Sequence, residues 1–374
     1  MKLIVVIVAA LLVYRLQYRL YSKKWDEKLD IDISFEKKYM EQGEQNQIIE
    51  IISNDKVFPL PLLHIKYSVS RNLTFDDCEN SSVTDMYHRN DVFSIMGHQR
   101  VTRYFTFRAK KRGYYTIDGV NVIARDIFLT KTFAKTQKSM AEGVYVFPKK
   151  FDNVELDMIC KWMFGESESR MSLFEDPFSF GGIREYKPSD SMKRINWKAT
   201  AKANQLMVNQ YNPTSFGRVK IMLNLDTNKL RNTEYMQENA IAFTSSVAKY
   251  LIDNNMPVMV ESNGYDIESK DVNSVGFGAS SKHILSIDKY LSRIDKCGSF
   301  GEYLDIVEAN IRKCEEIVTY IFVTAYYNED LLLKLDYMAK KGVPVRLIVL
   351  YYDRYGFMPV RDYMKGWEVK LIEG

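Results

Sequence analysis

The sequence contains few cysteine and histidine residues, with four of each among 374 residues. None of the cysteines stands in a CxxC pair or at metal-ligand spacing from a histidine: Cys78, Cys160, Cys297 and Cys314. A disulfide-stabilised secreted scaffold needs denser cysteines, and a structural zinc site needs clustered ones. Both classes are therefore excluded, and we expect four reduced thiols in a reducing compartment.

An excess of charge of one sign is also missing. The 52 Lys and Arg residues nearly balance 48 Asp and Glu residues, which leaves a net charge of +4. This charge is too small to argue for nucleic-acid binding. Apolar residues make up 46% and charged residues 27%, which excludes a wholly disordered chain and a multi-span transporter. The length allows two globular domains.

Long hydrophobic runs are confined to the N-terminus, where Leu3 to Val13 is uninterrupted. As a helix this run is about 16 Å long, short of a hydrocarbon core of about 30 Å. The helical pattern continues to Tyr21, and then reaches about 28 Å. Tyr14, Tyr18, Tyr21 and Trp25 suit an aromatic belt at a membrane interface.

Three interpretations of this segment compete: a cleaved signal peptide, a buried helix of a soluble domain, and a membrane anchor. The sequence after the run, VYRLQYRLYSKKW, offers no small-residue cleavage site. We therefore predict a single-pass anchor over residues 1–25. Lys2 precedes the run and four basic residues follow it, so the positive-inside rule predicts a cytoplasmic location for the bulk of the chain: Arg15, Arg19, Lys23 and Lys24.

Residues 30–147 contain short alternating runs rich in aromatic and β-branched residues, which predict a β-sandwich-like domain. The Asp118-Gly119 dipeptide lies between two such runs and predicts a hairpin. From residue 219 to residue 374 strands alternate with helical patterns, such as that of Thr233–Asn254. This alternation predicts an α/β domain with a largely parallel sheet, and sites in such sheets form at the carboxyl ends of the strands. Residues 148–218 are expected to be a linker.

The most specific motif lies in this linker. The sequence GIREYKPSDSMKRINWKATAK, residues 182–202, resembles the signature G-x-R-E-Y-x-P-G-D-x-x-R-x-I-x-W-K-x-[ST]-A-[RK] of the bacterial domain-of-unknown-function family fifty-eight. Ser189 replaces the usual glycine. The residues of the motif that we propose for interaction are Arg184, Glu185, Tyr186, Asp190, Arg194, Trp197 and Lys198. Two further stretches are similar to family motifs: Lys111-Arg112-Gly113-Tyr114-Tyr115 to R-R-G-x-Y, and Asp126-Ile127-Phe128-Leu129 to D-P-F-G-L.

The resemblance implies membrane helices, a β domain and a von Willebrand factor type A-like domain. It also implies a MoxR-type AAA+ ATPase as a partner, because such genes commonly neighbour one another. The motif itself leaves two interpretations open. Its mixed charges suit an ion-paired structural brace, and they equally suit a docking surface or an anion pocket.

Type A domains often hold Mg²⁺ through oxygen ligands that follow their strands. Here only a degenerate set is available: Asp226, Asn228, Ser280 and Thr324. Leu230 cannot ligate, and Lys229 opposes a divalent cation. We therefore predict no functional metal site and no cofactor.

We expect a non-enzymatic, membrane-anchored protein-interaction or assembly factor, because no nucleophile–base pair, P-loop or pair of acids can be identified from spacing. Two alternatives remain open at this point. The first is a hydrolase or ligand-binding enzyme that uses the signature loop and Asp226, and the second is a structural envelope scaffold.

Overall fold

In this computed structural model the structure describes residues 2–76, 81–137, 142–151, 154–165, 175–187, 192, 195–203, 205–213, 217–227, 233–267, 269, 272–313, 318–352 and 357–369. The chain forms two compact units, Met1–Lys149 and Lys150–Gly374. We call them the β-unit and the α/β-unit.

The β-unit begins with helix α1 (Lys2–Lys24) and continues with short strands. Their bounds are β1 (Leu29–Phe35), β2 (Tyr39–Glu41), β3 (Gln45–Asn54), β4 (Leu60–Ser70), β5 (Leu73–Phe75), β6 (Ser81–Val83), β7 (Met86–Ile95), β8 (Gln99–Ala109), β9 (Gly113–Tyr115), β10 (Asp118–Arg125), β11 (Thr132–Gln137) and β12 (Val144–Phe147).

These strands form a β-sandwich with one small additional sheet. One layer has the order β1-β3-β8-β5 and the other has the order β11-β10-β4-β7-β6. Side chains alternate between core and solvent along β3 and β7, as the period of two requires. The apolar inward side chains of the strands share one core, in which Ile48, Ile52, Ile65 and Phe107 are fully buried. The predicted β-sandwich-like architecture is therefore present.

The hairpin predicted at Asp118-Gly119 is wrong. Gly119 lies within β10 and has a φ of +65°, at the place where the register of β10 against β4 shifts. Strand β9 pairs with β12 in the small sheet of order β2-β12-β9, whereas β10 pairs with β4 and β11 in the sandwich. The reason is packing: Val120, Val122 and Ala124 of β10 fill the sandwich core, which pulls this strand away from β9.

The end of α1 packs against the β-unit, which corrects part of the predicted aromatic belt. Tyr21 and Trp25 are buried in the sandwich core. The Tyr21 hydroxyl donates to the Pro59 carbonyl (2.6 Å), and the Trp25 ring stacks on Phe133 at 6.0 Å between centroids. Of the four aromatic residues assigned to the belt, only Tyr14 and Tyr18 retain positions outside the core.

The α/β-unit contains helices α2 (Val154–Gly165), α3 (Trp197–Ala203), α4 (Thr233–Asp253), α5 (Ser281–Arg293), α6 (Phe300–Ile311) and α7 (Glu329–Lys340). Its strands are β13 (Glu175–Glu185), β14 (Met207–Pro213), β15 (Arg218–Leu223), β16 (Val258–Asp266), β17 (Val272–Gly278), β18 (Ile294–Cys297), β19 (Val318–Thr324), β20 (Val345–Tyr351) and β21 (Met364–Glu368).

The main sheet of this unit has the order β17-β16-β15-β19-β20-β21, and β18 pairs with the end of β16. The pairs along β16-β15-β19-β20-β21 are parallel, and β17 runs antiparallel at the edge. Helices α2, α4 and α5 share a core with one face, and α6 and α7 share a core with the other. The strands are buried on both faces, which explains their continuous apolar runs.

The expected linker, 148–218, is not a linker throughout. Leu156, Ile159, Cys160 and Met163 of α2 belong to the core of the α/β-unit. The apolar face of α2 is removed from water by the sheet, and this burial makes the helix part of the unit. Cys160 is a free buried thiol, as predicted for this position. Cys78 and Cys314 lie outside the described residues.

Candidate functional site

Polar side chains meet at the carboxyl ends of β15, β16 and β19, where the strand order reverses. The Asn224 amide donates to the Thr324 hydroxyl (2.9 Å), and the Asn263 amide donates to the Asn224 carbonyl oxygen (3.0 Å). All three side chains are buried. Asn263 also accepts a bond from the Leu225 backbone N–H (2.8 Å) and donates to the Gly298 carbonyl (3.2 Å). We call these three residues the amide cluster, and its members largely satisfy one another.

Asp226 lies beside the amide cluster and serves the N-terminus of α6. Its Oδ2 accepts a bond from the Phe300 backbone N–H (2.8 Å). The same helix begins with a capping box in which the Ser299 hydroxyl accepts from the Glu302 N–H and the Glu302 carboxylate accepts from the Ser299 N–H. A carboxylate at this position also meets the positive end of the helix dipole. Asp226 is therefore engaged by protein donors.

The structure separates the residues of the degenerate metal set. Asp226 and Thr324 lie at the carboxyl edge of the sheet, while Asn228 lies outside the described residues. Ser280 follows β17, whose Gly278 pairs with Val258 at the start of β16. Ser280 thus lies at the amino edge, where it caps α5 by accepting a bond from the His283 N–H (3.2 Å). Its inclusion in the set was wrong, because β17 runs antiparallel to its neighbour.

Within the described part of the chain, no three His, Cys, Asp or Glu side chains lie close enough together to hold a metal ion. We expect Asp226→Ala to cost about 1 kcal/mol through the lost bond to the Phe300 N–H at the start of α6, which lowers the melting temperature by about 2–4 °C. Millimolar Mg²⁺ should leave the melting temperatures of both the wild-type chain and the variant unchanged. A Mg²⁺-dependent rise that is present in the wild type and lost in Asp226→Ala would contradict this assignment.

The family-like motif forms a second candidate site, which we call the signature arm: β13, α3 and β14. Strands β13 and β14 pair antiparallel, with Arg184 opposite Val208 and Glu185 opposite Met207. The Asn196 side chain accepts from the Ala199 N–H (3.0 Å) at the start of α3, and the Thr200 hydroxyl accepts from the Met207 N–H (3.0 Å). The motif residues therefore hold the arm together locally.

The proposed interaction residues differ in exposure. Trp197 is 68% exposed, and Glu185 and Lys198 are also exposed. Arg184 and Tyr186 are half-buried, and Arg184 donates to the Glu185 carbonyl (3.0 Å) within the arm. Asp190 and Arg194 lie outside the described residues. The interpretation of the motif as an ion-paired brace therefore stays a prediction at these two positions. The exposure of Trp197 is the feature of this arm that local bracing does not explain.

The core of the β-unit contains a group of ionisable side chains that sequence reasoning missed. Arg89 and Asp91 form a buried ion pair (3.0 Å), and the Arg89 guanidinium lies 3.7 Å from the centroid of the Phe105 ring. Burial in the first place, and the Asp91 carboxylate in the second, raise the pKa of the nearby Glu50 to about 8. The signal was available: Glu50, Arg89 and Asp91 all occupy inward positions of alternating strands.

Sequence reasoning also missed the contact between α1 and the loop after β10. The Gln17 amide donates to the Asp126 carboxylate (2.9 Å), and both side chains are buried. These residues are 109 positions apart, so no local pattern connects them. The family-like stretch that begins at Asp126 was the only available hint.

No protein-family model matches the chain, and no curated protein matches it. Solved structures similar to part of the chain include the CARDB domain of a Pyrococcus furiosus protein, at 14% identity, a TM-score of 0.21, and coverage of 32% of this chain and 90% of that one. A cohesin from Archaeoglobus fulgidus has 16% identity, a TM-score of 0.21, and coverage of 31% and 89%. The Bacillus subtilis sporulation control protein Spo0M has 14% identity, a TM-score of 0.18, and coverage of 43% and 58%.

Proposed function

We propose that this protein is a membrane-anchored, non-enzymatic interaction factor that docks a protein partner on its signature arm. The observation that carries the proposal is the 68% exposure of Trp197 within the most specific motif of the chain. A large exposed aromatic side chain beside charged neighbours is typical of an interface hot spot. A side chain kept only for bracing would be expected to lie against the arm.

The membrane anchor in this proposal is α1. It has 23 residues and contains an 18-residue window with a mean hydropathy of 1.8, and 6% of that window is buried. A signal sequence passes the same test, but a cleaved segment would not place Tyr21 in the sandwich core. The basic residues after the apolar run support a cytoplasmic location for both units.

The partner that the family resemblance suggests is a MoxR-type AAA+ ATPase, with a role in assembling envelope or metalloenzyme complexes. Two features of the chain support the same family. One is the signature itself, and the other is the sheet order with a single antiparallel strand, β17, along β17-β16-β15-β19-β20-β21, which suits a type A-like domain. The amide cluster supports a non-catalytic role, since its groups bond to one another.

Co-purification from gently solubilised native membranes tests this proposal. We expect Trp197→Ala to lose the partner by at least about tenfold, because hot-spot truncation typically costs 2 kcal/mol or more. Tyr104→Ala is the matched control, since Tyr104 is an aromatic residue of the β-unit that is 61% exposed. This control should retain the partner, and mass spectrometry should identify an AAA+ ATPase.

Equal recovery of partners with Trp197→Ala and wild type would mean that the signature arm has a structural role and does not dock the partner. Recovery of a Trp197-dependent partner that is not an ATPase would keep the docking surface and overturn the partner assignment. Both variants should retain the wild-type circular dichroism spectrum, because each removes a side chain that is mostly in water.

A further inference from the structure

The loop between β10 and β11, Asp126–Lys131, presents three consecutive apolar side chains to solvent. Ile127, Phe128 and Leu129 are 47%, 51% and 49% exposed. Three adjacent exposed residues of this size are unusual on a soluble surface and mark a site of interaction. We call Ile127–Leu129 the apolar tip.

The loop is closed by hydrogen bonds to a buried side chain. The Asp126 side chain is fully buried. It accepts bonds from the backbone N–H groups of Thr130 (2.7 Å) and Lys131 (3.0 Å), and from the Thr130 hydroxyl (2.7 Å). Asp126 thereby closes the loop and leaves the apolar tip on its outer side.

Leu129 has a left-handed backbone, with a φ of +57°. A non-glycine residue pays about 1–2 kcal/mol for this conformation. Strain that is retained for an exposed apolar side chain points to a function for that side chain.

The apolar tip adjoins α1 at one level of the helix. The Phe128 ring lies 6.5 Å from the Tyr14 ring, and the Thr130 hydroxyl lies 3.4 Å from the Tyr14 hydroxyl. One turn further on, Gln17 bonds to Asp126. The tip therefore lies directly after the uninterrupted apolar run, on the side of α1 that carries Tyr14 and Gln17.

The apolar run Leu3 to Val13 is shorter than the hydrocarbon core, and this difference places the apolar tip at the bilayer. Leu3 to Val13 covers about 16 Å, whereas a hydrocarbon core is about 30 Å thick. To span this core α1 must enter it beyond Tyr14, and the apolar tip then enters with it. The tip supplies apolar surface at the depth where Arg15 and Gln17 interrupt the apolar character of α1.

The charges around the tip suit lipid headgroups. Arg125 and Lys131 lie on either side of the apolar tip, Arg15 and Arg19 lie on the adjoining part of α1, and all four are exposed. Long basic side chains beside an apolar surface reach outward to the interface and attract anionic lipid. Asp126, the acid within the loop, is buried and hydrogen-bonded.

We propose that the apolar tip inserts into the membrane leaflet that α1 enters, with anionic lipid headgroups around its basic flanks. This proposal rests on the membrane anchoring proposed above. It makes the membrane contact of the β-unit a two-point contact, which orients the unit on the bilayer as well as tethering it. The occupant is the lipid itself.

Full-length chain reconstituted into phosphatidylcholine–phosphatidylglycerol vesicles tests the insertion. Phe128→Trp adds one fluorophore at the tip, and Tyr104→Trp adds one at the 61% exposed control position. Relative to wild type, Phe128→Trp should add blue-shifted emission that brominated lipid quenches. Tyr104→Trp should add red-shifted emission that acrylamide quenches and brominated lipid does not. With phosphatidylcholine alone, the lipid quenching of Phe128→Trp should weaken.

Flotation after an alkaline wash separates the two proposals. The chain could float with the vesicles while acrylamide, and not brominated lipid, quenches Phe128→Trp. This result would overturn the insertion and leave the anchor in place. Chain that does not float overturns the anchor, and the insertion that rests on it falls as well. Quenching that is equal with and without phosphatidylglycerol overturns the part assigned to the basic flanks.

Discussion

Replacing Glu50 by Gln is expected to stabilise the β-unit at pH 8 and to flatten the pH dependence of its stability between about pH 4.5 and pH 8. Burial raises the pKa of Glu50 from 4.5 to about 8, so the folded chain binds a proton that the unfolded chain releases in this range. The stability that proton binding by Glu50 contributes is therefore fully present below pH 4.5 and is lost as the pH rises toward 8.

The neutral form is favoured because the Glu50 side chain is fully buried and its charged form would lose its hydration there. Four groups face it from neighbouring strands. The Asp91 carboxylate opposes ionisation, whereas the Tyr67 hydroxyl and the guanidinium groups of Arg89 and Arg103 favour it. Gln keeps the shape of the neutral acid and cannot ionise, so it removes a penalty of about 2–4 kcal/mol at pH 8.

Chemical denaturation of the solubilised full-length chain from pH 4 to pH 9 would measure this effect. Glu36→Gln is the control, since Glu36 is exposed on the same unit and stays in water in both states. Its curve should follow that of the wild type. A wild-type stability that rises between pH 5 and pH 8, or a Glu50→Gln chain that is less stable at pH 8, would refute the assignment.

Replacing Asn263 by Ala should cost the α/β-unit about 2–4 kcal/mol of unfolding free energy. The Asn263 side chain is fully buried and joins three partners: it accepts from the Leu225 N–H, and it donates to Asn224 and to the Gly298 carbonyl. Ala removes the side-chain partner of the Leu225 N–H and of the Gly298 carbonyl in a buried site, while Asn224 keeps its bonds to the Asp226 N–H and to Thr324. A buried unpaired group costs about 1–3 kcal/mol, and more than one is created here.

Asn254→Ala provides the comparison, because the exposed Asn254 side chain donates to the Tyr250 carbonyl (2.8 Å) at the end of α4. Water replaces that bond in the variant, so its cost should stay within about 0.5 kcal/mol. Thermal unfolding of the two variants side by side measures the difference. Similar losses for both would mean that the amide cluster is open to solvent and does not stabilise the carboxyl edge of the sheet.

The elements with strong periodicity could be predicted closely. The helix predicted over Thr233–Asn254 is observed over Thr233–Asp253, because its apolar residues recur at helical spacing and face the sheet. Strand β17 was missed, since VNSVGFG has neither a continuous apolar run nor strict alternation. Missing this one strand put Ser280 at the wrong edge of the sheet.

The amino-acid sequence by itself determined the apolar run of α1, the alternating strands of the sandwich and the βα alternation of the second unit. Periodicity and length are local properties, and a segment carries them whatever its neighbours are. The signature motif was equally visible. Its residue types alone, however, did not distinguish a structural brace from a docking surface.

Tertiary structure alone decided which distant groups meet. It brought Gln17 to Asp126 and set the apolar tip beside Tyr14. It also joined Asn224, Asn263 and Thr324 into one cluster, and it left Trp197 in solvent. The physical reason is that burial and hydrogen-bond pairing depend on the packing of whole layers, which no window of adjacent residues encodes.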